Sequence, residues 1–250
     1  MNNSKNMTYV SIYSCCDFYF CVVDRCSDIQ TKQLRDFRAL SMTAQRQLQE
    51  SSEVMHLPKG SIVFEEDQYL NKLYCIKKGA CKFSKFDDSG QEHILRFLGE
   101  GDLMGKRAFI SQKGARVVAT TLTPSKICCL DKEAVLRHMK ENTAFCKDLL
   151  EAFVEDANLS DQTRVIFSPS KSIRGRLAKL LLYISEKFGT DCTGKLSLRM
   201  RREDMAIALG TSPEYVINLL KNLKKVGLIQ TIKSEIQILS KSGLERISNT

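Results

Sequence analysis

A short stretch near the carboxyl end of the chain carries side chains whose chemistry suits contact with DNA. Near the start of a predicted helix, base contacts are expected from Ser212, Glu214, Ile217 and Asn218. Phosphate contacts are expected from basic and hydroxyl groups around them, namely Arg202, Thr211, Tyr215 and Lys221. An ordinary helical hairpin with a solvated polar face is the alternative interpretation of this stretch.

Two predicted helices, separated by Gly-Thr-Ser, must position these side chains. Gly210 follows the last apolar residue of the first helix, where glycine favours a left-handed cap. Ser212 and Pro213 are typical of the N-cap and the first turn of a second helix. On that helix a buried stripe is predicted from apolar residues at helical spacing, Val216, Leu219, Leu220 and Leu223. Residues 202–229 therefore favour a helix-turn-helix, in which the start of the second helix meets base edges.

The segments around this motif are those of a winged helix. Residues 168–172, Ser-Pro-Ser-Lys-Ser, predict a hinge, and residues 173–188 predict a helix. Residues 230–239 alternate about Ser234 and Glu235 as a β-hairpin would, which predicts the wing.

Basic residues concentrate in this last third of the chain. From residue 168 onward there are about 15 Lys and Arg against about 7 Asp and Glu, whereas the formal charge of the whole chain is +9. A basic patch confined to one domain is expected of a protein that contacts phosphates. Double-stranded DNA is therefore the predicted partner.

Composition narrows the remaining possibilities. The chain has 250 residues, 43% of them hydrophobic, which suits one large or two modest domains. No apolar run is long enough to span a bilayer, and we expect neither a signal peptide nor a membrane partner. The three histidines lie far apart and in no catalytic motif, so we do not expect an enzyme.

Residues 57–130 predict an all-β region. Short β-prone runs at residues 62–64, 73–76, 82–86 and 94–97 alternate with Gly, Pro and Asp turns, which indicates a small barrel or sandwich. A helical stretch is predicted over residues 132–167. Within it a seam with coiled-coil-like spacing is formed by Cys146, Leu150, Phe153 and Ala157. This seam predicts either a dimer contact or packing on the β region of the same chain.

The order of these segments resembles the Crp–Fnr family of bacterial transcription regulators, in the versions found in Bacteroidetes-type bacteria. The likeness is carried by Lys59-Gly60 and by residues 73–79, 101–105, 173–178 and 202–229. It implies an α+β fold with a cyclic nucleotide-binding-like β-roll, jelly-roll-like in form (a double-stranded β-helix), a long dimerisation helix and a winged helix-turn-helix. It also implies a cytoplasmic homodimer that binds palindromic promoter sites and contacts RNA polymerase.

The expected domains follow from this resemblance. They are a Cys-rich leader, the β-roll effector domain, the dimerisation helix and the DNA-binding domain, over residues 1–36, 37–131, 132–168 and 169–250.

The DNA-reading residues match the family unevenly. Glu214 stands at the position of the family's glutamate, but Asn218 replaces the arginine that follows four residues later. Pro213 also replaces a polar or basic residue. Because arginine commonly reads guanine and asparagine reads adenine, the family's usual half-site is not expected here.

The effector region departs from cyclic nucleotide-binding members of the family. The resemblance places a candidate effector pocket at Gly105, Lys106, Arg107 and Arg116. The glutamate that would accept from a ribose is replaced by Lys106 or Arg107, and Arg116 is followed by Val117 rather than serine. We therefore do not expect cyclic AMP or cyclic GMP as the effector, although a cyclic nucleotide-binding module without a DNA role is one alternative function.

The ten cysteines leave several interpretations open. By resemblance to oxygen-sensing members, a [4Fe–4S] cluster could be ligated by Cys16, Cys21, Cys26 and Cys128, although the leader spacing differs from theirs. Simple thiol oxidation is a second possibility, so the alternative function is an iron–sulfur or thiol sensor. Zinc is less expected because no CxxC pair is present. The remaining interpretation is free leader thiols, with Cys75, Cys81 and Cys129 in the core.

Overall fold

The computed structural model describes residues 22–25, 40–111, 113–166 and 172–249. Of residues 22–25 and several positions in the helices, it describes the backbone alone. The chain divides into two units, one formed by residues 1–83 and 97–157 and the other by residues 84–96 and 158–250.

Two sheets form a β-roll. The first sheet has the spatial order β1 (Val22–Arg25), β2 (Glu53–Leu57), β9 (Ser125–Asp131), β4 (Lys72–Lys78) and β7 (Leu103–Met104). The second sheet has the order β3 (Ile62–Phe64), β8 (Val118–Thr121), β5 (Cys81–Phe86) and β6 (Glu92–Leu98). The four β-prone runs expected from the sequence are thus β3, β4, β5 and β6, and the predicted α+β fold is confirmed.

Alternation along the central strands creates two apolar cores. On β4, Tyr74 and Ile76 face the space between the sheets, whereas Leu73 and Cys75 face outward. The inner core also contains Phe64, whose ring centroid lies 5.5 Å from that of Tyr74. The outer core is covered by helices α1 (Met42–Glu50), α3 (Lys132–Glu141) and α4 (Thr143–Ile166). A short helix, α2 (Lys106–Ser111), follows β7.

The helical stretch expected over residues 132–167 is two helices rather than one. Asn142 has an extended backbone, with φ −133° and ψ 102°, and ends α3. Its side-chain oxygen accepts a hydrogen bond from the Phe145 N–H at 3.0 Å, which caps the start of α4. The expectation of one continuous helix was therefore wrong because the asparagine satisfies free backbone groups at both ends of the break.

The first sheet extends into the expected leader. β1 pairs with β2 in antiparallel register, with Val22 opposite His56 and Arg25 opposite Glu53. The expected boundary at residue 36 therefore does not mark the beginning of the sheet. Strand pairing between distant segments, which the local pattern does not encode, is the reason for this difference.

The second unit contains a winged helix. Its elements are α5 (Ile173–Phe188), α6 (Arg202–Leu209), α7 (Pro213–Lys225), β10 (Ile229–Ile232), β11 (Glu235–Ile238) and α8 (Lys241–Ser248). α5 has the bounds expected from the sequence. The wing turn lies one residue earlier than expected, at Lys233 and Ser234, because Ile232 pairs with Glu235.

Candidate nucleic-acid interface

The turn between α6 and α7 is formed by the residues expected to form it. Gly210 has φ 60° and ψ 51°, a left-handed conformation that glycine adopts without steric cost. The Thr211 N–H donates to the Ala206 carbonyl at 3.0 Å. The Ser212 hydroxyl then accepts from the Tyr215 N–H at 3.2 Å, which caps α7. These bonds fix the direction in which α7 leaves the turn.

α7 separates a buried stripe from an exposed face. Val216, Leu219, Leu220 and Leu223 are buried, as expected. On the opposite side the four expected base-reading residues, Ser212, Glu214, Ile217 and Asn218, are all exposed. Ile217 is 39% exposed, which leaves an apolar side chain in water on an otherwise polar face. The face combines a carboxylate, an amide and an apolar group, a set of the kind that contacts base edges in a major groove.

The expected phosphate-binding residues differ in exposure. Tyr215 and Lys221 are exposed and Thr211 is partly exposed. Arg202 is partly buried, and its Nη1 lies 3.7 Å from the Met205 sulfur. Burial lowers the pKa of the Arg202 guanidinium, although an arginine keeps its charge at neutral pH.

Ionic contacts tie the wing to the segment before α6. The Glu235 carboxylate lies 3.1 Å from the Lys195 ammonium and also pairs with the Arg199 guanidinium. The hydrogen bond from Lys195, together with the charge of Arg199, lowers the pKa of Glu235. Arg199, one of three arginines just before or at the start of α6, thus has a carboxylate partner in the structure.

The sequence interpretation missed the tip of the wing. Lys233 is exposed there and has φ +54°, a backbone conformation that favours glycine. Lys224 and Lys225 are also exposed, at the end of α7. The signal that could have indicated Lys233 is a basic residue inside a two-residue hairpin turn.

The four residues named as a candidate effector pocket are three basic residues and one glycine. The Lys106 ammonium, at one of the two positions that match the family's ribose-binding glutamate, donates to the Ala152 carbonyl of α4 at 3.3 Å. Arg107 and Arg116 are exposed, and Gly105 packs its backbone against Leu70. These residues supply positive charge but no carboxylate for a ribose hydroxyl.

Aromatic side chains fill the interior of the roll. Phe64 lies 5.5 Å from Tyr74 and 6.1 Å from Phe83, measured between ring centroids. Burial, with the nearby Cys129, raises the pKa of Tyr74 to about 12, so its phenol stays protonated at neutral pH. The inner core is therefore an apolar packing cluster.

The seam expected on the long helix is divided between two environments. Leu150 is 49% exposed, and Val154, one helical turn further along α4, is 61% exposed. Phe153 instead packs against the outer core of its own roll, and Cys146 is partly buried. The side chain of Ala157 lies outside the described part of the structure.

Of the four candidate metal ligands, only Cys128 lies in the part of the chain that the structure describes. Cys16, Cys21 and Cys26 lie outside the described residues. Cys128 is fully buried in the outer core, among apolar side chains. Over residues 40–111, 113–166 and 172–249 no group of three His, Cys, Asp or Glu side chains could hold a metal ion. The expectation that Cys75, Cys81 and Cys129 are core residues is confirmed.

Among the helices that the structure describes, none is long and apolar enough to cross a membrane.

Two family sequence models match the chain. A cyclic nucleotide-binding domain matches residues 54–142, and a Crp-like helix-turn-helix domain matches residues 175–247. These matches confirm the helix-turn-helix interpretation and argue against an ordinary helical hairpin.

Known proteins resemble most of the chain. A CRP-like cAMP-activated global transcriptional regulator of Mycobacterium tuberculosis is 25% identical over 217 residues, which cover 84% of this chain and 94% of that protein. An anaerobic regulatory protein of Haemophilus influenzae is 24% identical over 196 residues, covering 78% of this chain and 76% of that protein. The structure of FixK2 from Bradyrhizobium japonicum has the same fold, with a TM-score of 0.70 at 18% identity over 78% of this chain and 96% of that one.

Proposed function

Because the chain belongs to the CRP/FNR family of DNA-binding transcription regulators, we propose that it binds palindromic promoter DNA as a homodimer. The observation that carries this proposal is the exposed polar face of α7 above its buried stripe. A rigid helix with this division can enter a major groove without losing its own packing. Two copies related by a twofold axis would then read two half-sites one helical turn apart.

Within each half-site, three side chains of α7 have distinct base preferences. The Asn218 amide suits adenine, which it can contact through two hydrogen bonds. The Glu214 carboxylate suits the amino group of cytosine, and the exposed Ile217 suits the methyl group of thymine. Ser212 is exposed beside them, although its oxygen also caps the helix.

Phosphate contacts support the complex without reading sequence. We place Thr211, Tyr215 and Lys221 at one edge of the groove, together with Arg202, which is partly buried beside Met205. Lys233 at the wing tip is an added candidate, since it keeps an unfavourable backbone conformation at an exposed site.

The salt dependence of binding tests the DNA-binding proposal. In a gel-shift titration with promoter fragments, affinity should fall steeply between about 50 and 200 mM salt, as it does for proteins that make many phosphate contacts. Lys221→Ala should weaken binding and reduce the salt slope by about one. Lys140→Ala, an exposed lysine of α3, is the matched control and should leave the slope unchanged. A flat salt dependence of the unchanged protein would contradict the proposal.

The dimer proposal is supported by the exposed apolar side chains of α4. Leu150 and Val154 lie one turn apart and leave an apolar strip in water, which a second copy of the helix would cover. Phe153 then contributes to its own roll rather than to the seam. A promoter-bound dimer in a bacterial cytoplasm could contact RNA polymerase, which we propose on the family relationship alone.

We further propose that the effector is not a cyclic nucleotide. The support is the engagement of Lys106 with Ala152 and the absence of a carboxylate among Gly105, Lys106, Arg107 and Arg116. Calorimetric titration with cyclic AMP should show no binding at micromolar concentrations, and clear micromolar binding would overturn this point.

A cyclic nucleotide-binding module without a DNA role is not favoured, because residues 175–247 match a DNA-binding domain. The iron–sulfur alternative is not favoured either, since Cys128 lies deep in an apolar core.

A further inference from the structure

Two buried cysteines lie directly opposite each other on neighbouring antiparallel strands. Cys75 of β4 pairs with Cys128 of β9 in the strand register. Both belong to the outer core, and they are 2% and 0% exposed. Cys129, the next residue along β9, faces the inner core instead and pairs with Tyr74. The sheet thus holds two thiols on the same face at adjacent positions.

Backbone hydrogen bonds indicate how far apart the two residues lie. The Ile76 N–H donates to the Asp102 carbonyl at 3.1 Å, and the Ile76 carbonyl accepts from the Gly101 N–H at 2.8 Å. Asp102 and Gly101 directly precede β7, so the peptide groups of Ile76 point toward β7. Because peptide groups alternate in direction along a strand, those of Cys75 point the other way, toward β9. In such a hydrogen-bonded pair the Cα atoms lie about 5.5 Å apart. Disulfides most often join Cα atoms at about 5.5–6 Å.

A second hydrogen bond, at the other end of the pairing between β4 and β9, leads to the same assignment of peptide directions. The Lys132 N–H, just after β9, donates to the Asn71 carbonyl, just before β4, at 3.1 Å. Counting back by twos from Lys132 along β9 reaches Cys128, so its peptide groups point toward β4. Two independent sets of bonds therefore give the same hydrogen-bonded pair.

We propose that Cys75 and Cys128 form a reversible disulfide when hydrogen peroxide oxidises the protein. The Sγ of one residue attacks a peroxide oxygen, the O–O bond breaks, and the thiol proton leaves with the displaced oxygen as water. The second Sγ then attacks the sulfur of the sulfenic acid, the S–O bond breaks, and the released hydroxyl leaves as water with the proton of the second thiol. The two thiols lose two electrons in total, and the peroxide gains them.

Burial and geometry set the character of this bond. Opposite Cβ atoms in antiparallel strands lie about 4.5–5.5 Å apart, whereas those of a disulfide lie about 3.5–4.5 Å apart. Closing the bond therefore draws β4 and β9 together, and the strain makes the bond easier to reduce. Because both thiols are buried, they should react more slowly than the exposed Cys192.

The disulfide would change the outer core, against which α4 packs. The outer core that holds both thiols also contains Phe145 and Leu149 of α4 and Val135 of α3. A shift of β4 against β9 changes that surface, because packed cores have little free space to absorb it. We expect oxidation to weaken DNA binding by changing the position of α4. This second step rests on the proposed function, whereas disulfide formation does not.

Peptide mapping of the full-length protein tests the site. After treatment with hydrogen peroxide and alkylation of the remaining thiols, the expected result is a linked pair of peptides containing Cys75 and Cys128. The link should persist in Cys129→Ala, which removes the neighbouring thiol on the other face, and should disappear on reduction with dithiothreitol. If both residues are recovered alkylated, or are linked only to other cysteines, the site is overturned. The unchanged protein decides this result even if Cys129→Ala fails to fold.

DNA binding by the same samples tests the consequence. Oxidised protein should bind promoter DNA at least about fivefold more weakly than reduced protein, within the range of known coupling between sites. Reduction should restore the affinity for DNA. Cys75→Val cannot form the disulfide, so peroxide should not lower its affinity for DNA through this bond. Cys129→Ala should lose affinity on oxidation as the unchanged protein does. A mapped disulfide without a change in affinity would overturn the link to α4. Loss of all DNA binding in the reduced protein would instead count against the proposed function.

Discussion

Asn218 and Asn222 lie one helical turn apart on the exposed side of α7. Asn218→Ala should abolish the preference for adenine at one position of each half-site, because the amide that contacts the adenine edge is removed. The loss of discrimination should be about 1–3 kcal/mol. Selection of binding sites from randomised DNA measures this preference directly. Asn222→Ala is the matched control, and an adenine preference that survives in Asn218→Ala would refute the assigned role.

For individual residues, the sequence predicted the structural role where the interaction partner is near in the chain. Ser212 and Gly210 could be placed because a helix cap uses groups only a few positions apart. The contact between Lys106 and Ala152 spans 46 positions and has no local signature. The partial burial of Arg202 was missed for a similar reason, since burial depends on tertiary packing rather than on neighbouring residue types.

Among the elements, the wing depends on the carboxylate that ties it to the segment before α6. Glu235→Gln removes the charge that pairs with Lys195 and Arg199, so the thermal midpoint of the second unit should fall at pH 7. Differential scanning calorimetry measures that fall. Glu245→Gln, at an exposed position of α8, is the control and should leave the midpoint unchanged.

The same tie gives the wing a pH dependence with a definite sign. The folded-state pKa of Glu235 is lowered, first by the hydrogen bond from Lys195. Its contribution to stability is therefore complete above the unfolded pKa of about 4.3 and is lost as the pH falls through the folded value. The difference in midpoint between Glu235→Gln and the unchanged protein should shrink below about pH 4. A constant difference from pH 7 to pH 3 would show that the pairing does not stabilise the wing.

Elements with strong periodicity were predictable, and their breaks were less so. α5 has the expected bounds because its apolar spacing is regular and Ser172 caps it. The break at Asn142 was missed, although an asparagine followed by a helix-forming run is a capping signal. The wing turn was misplaced by one residue, since a left-handed lysine at position 233 is an uncommon turn residue.

At the scale of the whole molecule, the apolar strip on α4 determines whether two copies associate. Leu150→Asp should convert the proposed dimer to monomer at micromolar concentration, because it places a charge where about 1.5–3 kcal/mol of burial per subunit is expected. Sedimentation velocity measures the change. Thr143→Asp adds the same charge at an exposed position of the same helix and should leave the dimer intact. A Leu150→Asp protein that remains dimeric would place the seam elsewhere.

The order of the main elements was predictable from the sequence, but the start of the first sheet was not. Turn residues and β-prone runs indicated the roll, and the helix-turn-helix pattern indicated the second unit. β1 could not be assigned, because its partner β2 is distant in the chain and itself has little alternation. Pairing between strands far apart in sequence is decided by tertiary structure rather than by local residue types.

The hydrogen bond from Lys106 to Ala152 has a thermodynamic consequence for the search for an effector. The ammonium has three N–H donors and gives one of them to the α4 carbonyl, so an anion bound by the other two would lie against that helix. If DNA binding changes the position of α4, linkage is reciprocal and the anion changes the affinity for DNA by the same factor that DNA changes the affinity for the anion. Small anions are therefore best screened against both the free protein and the protein–DNA complex.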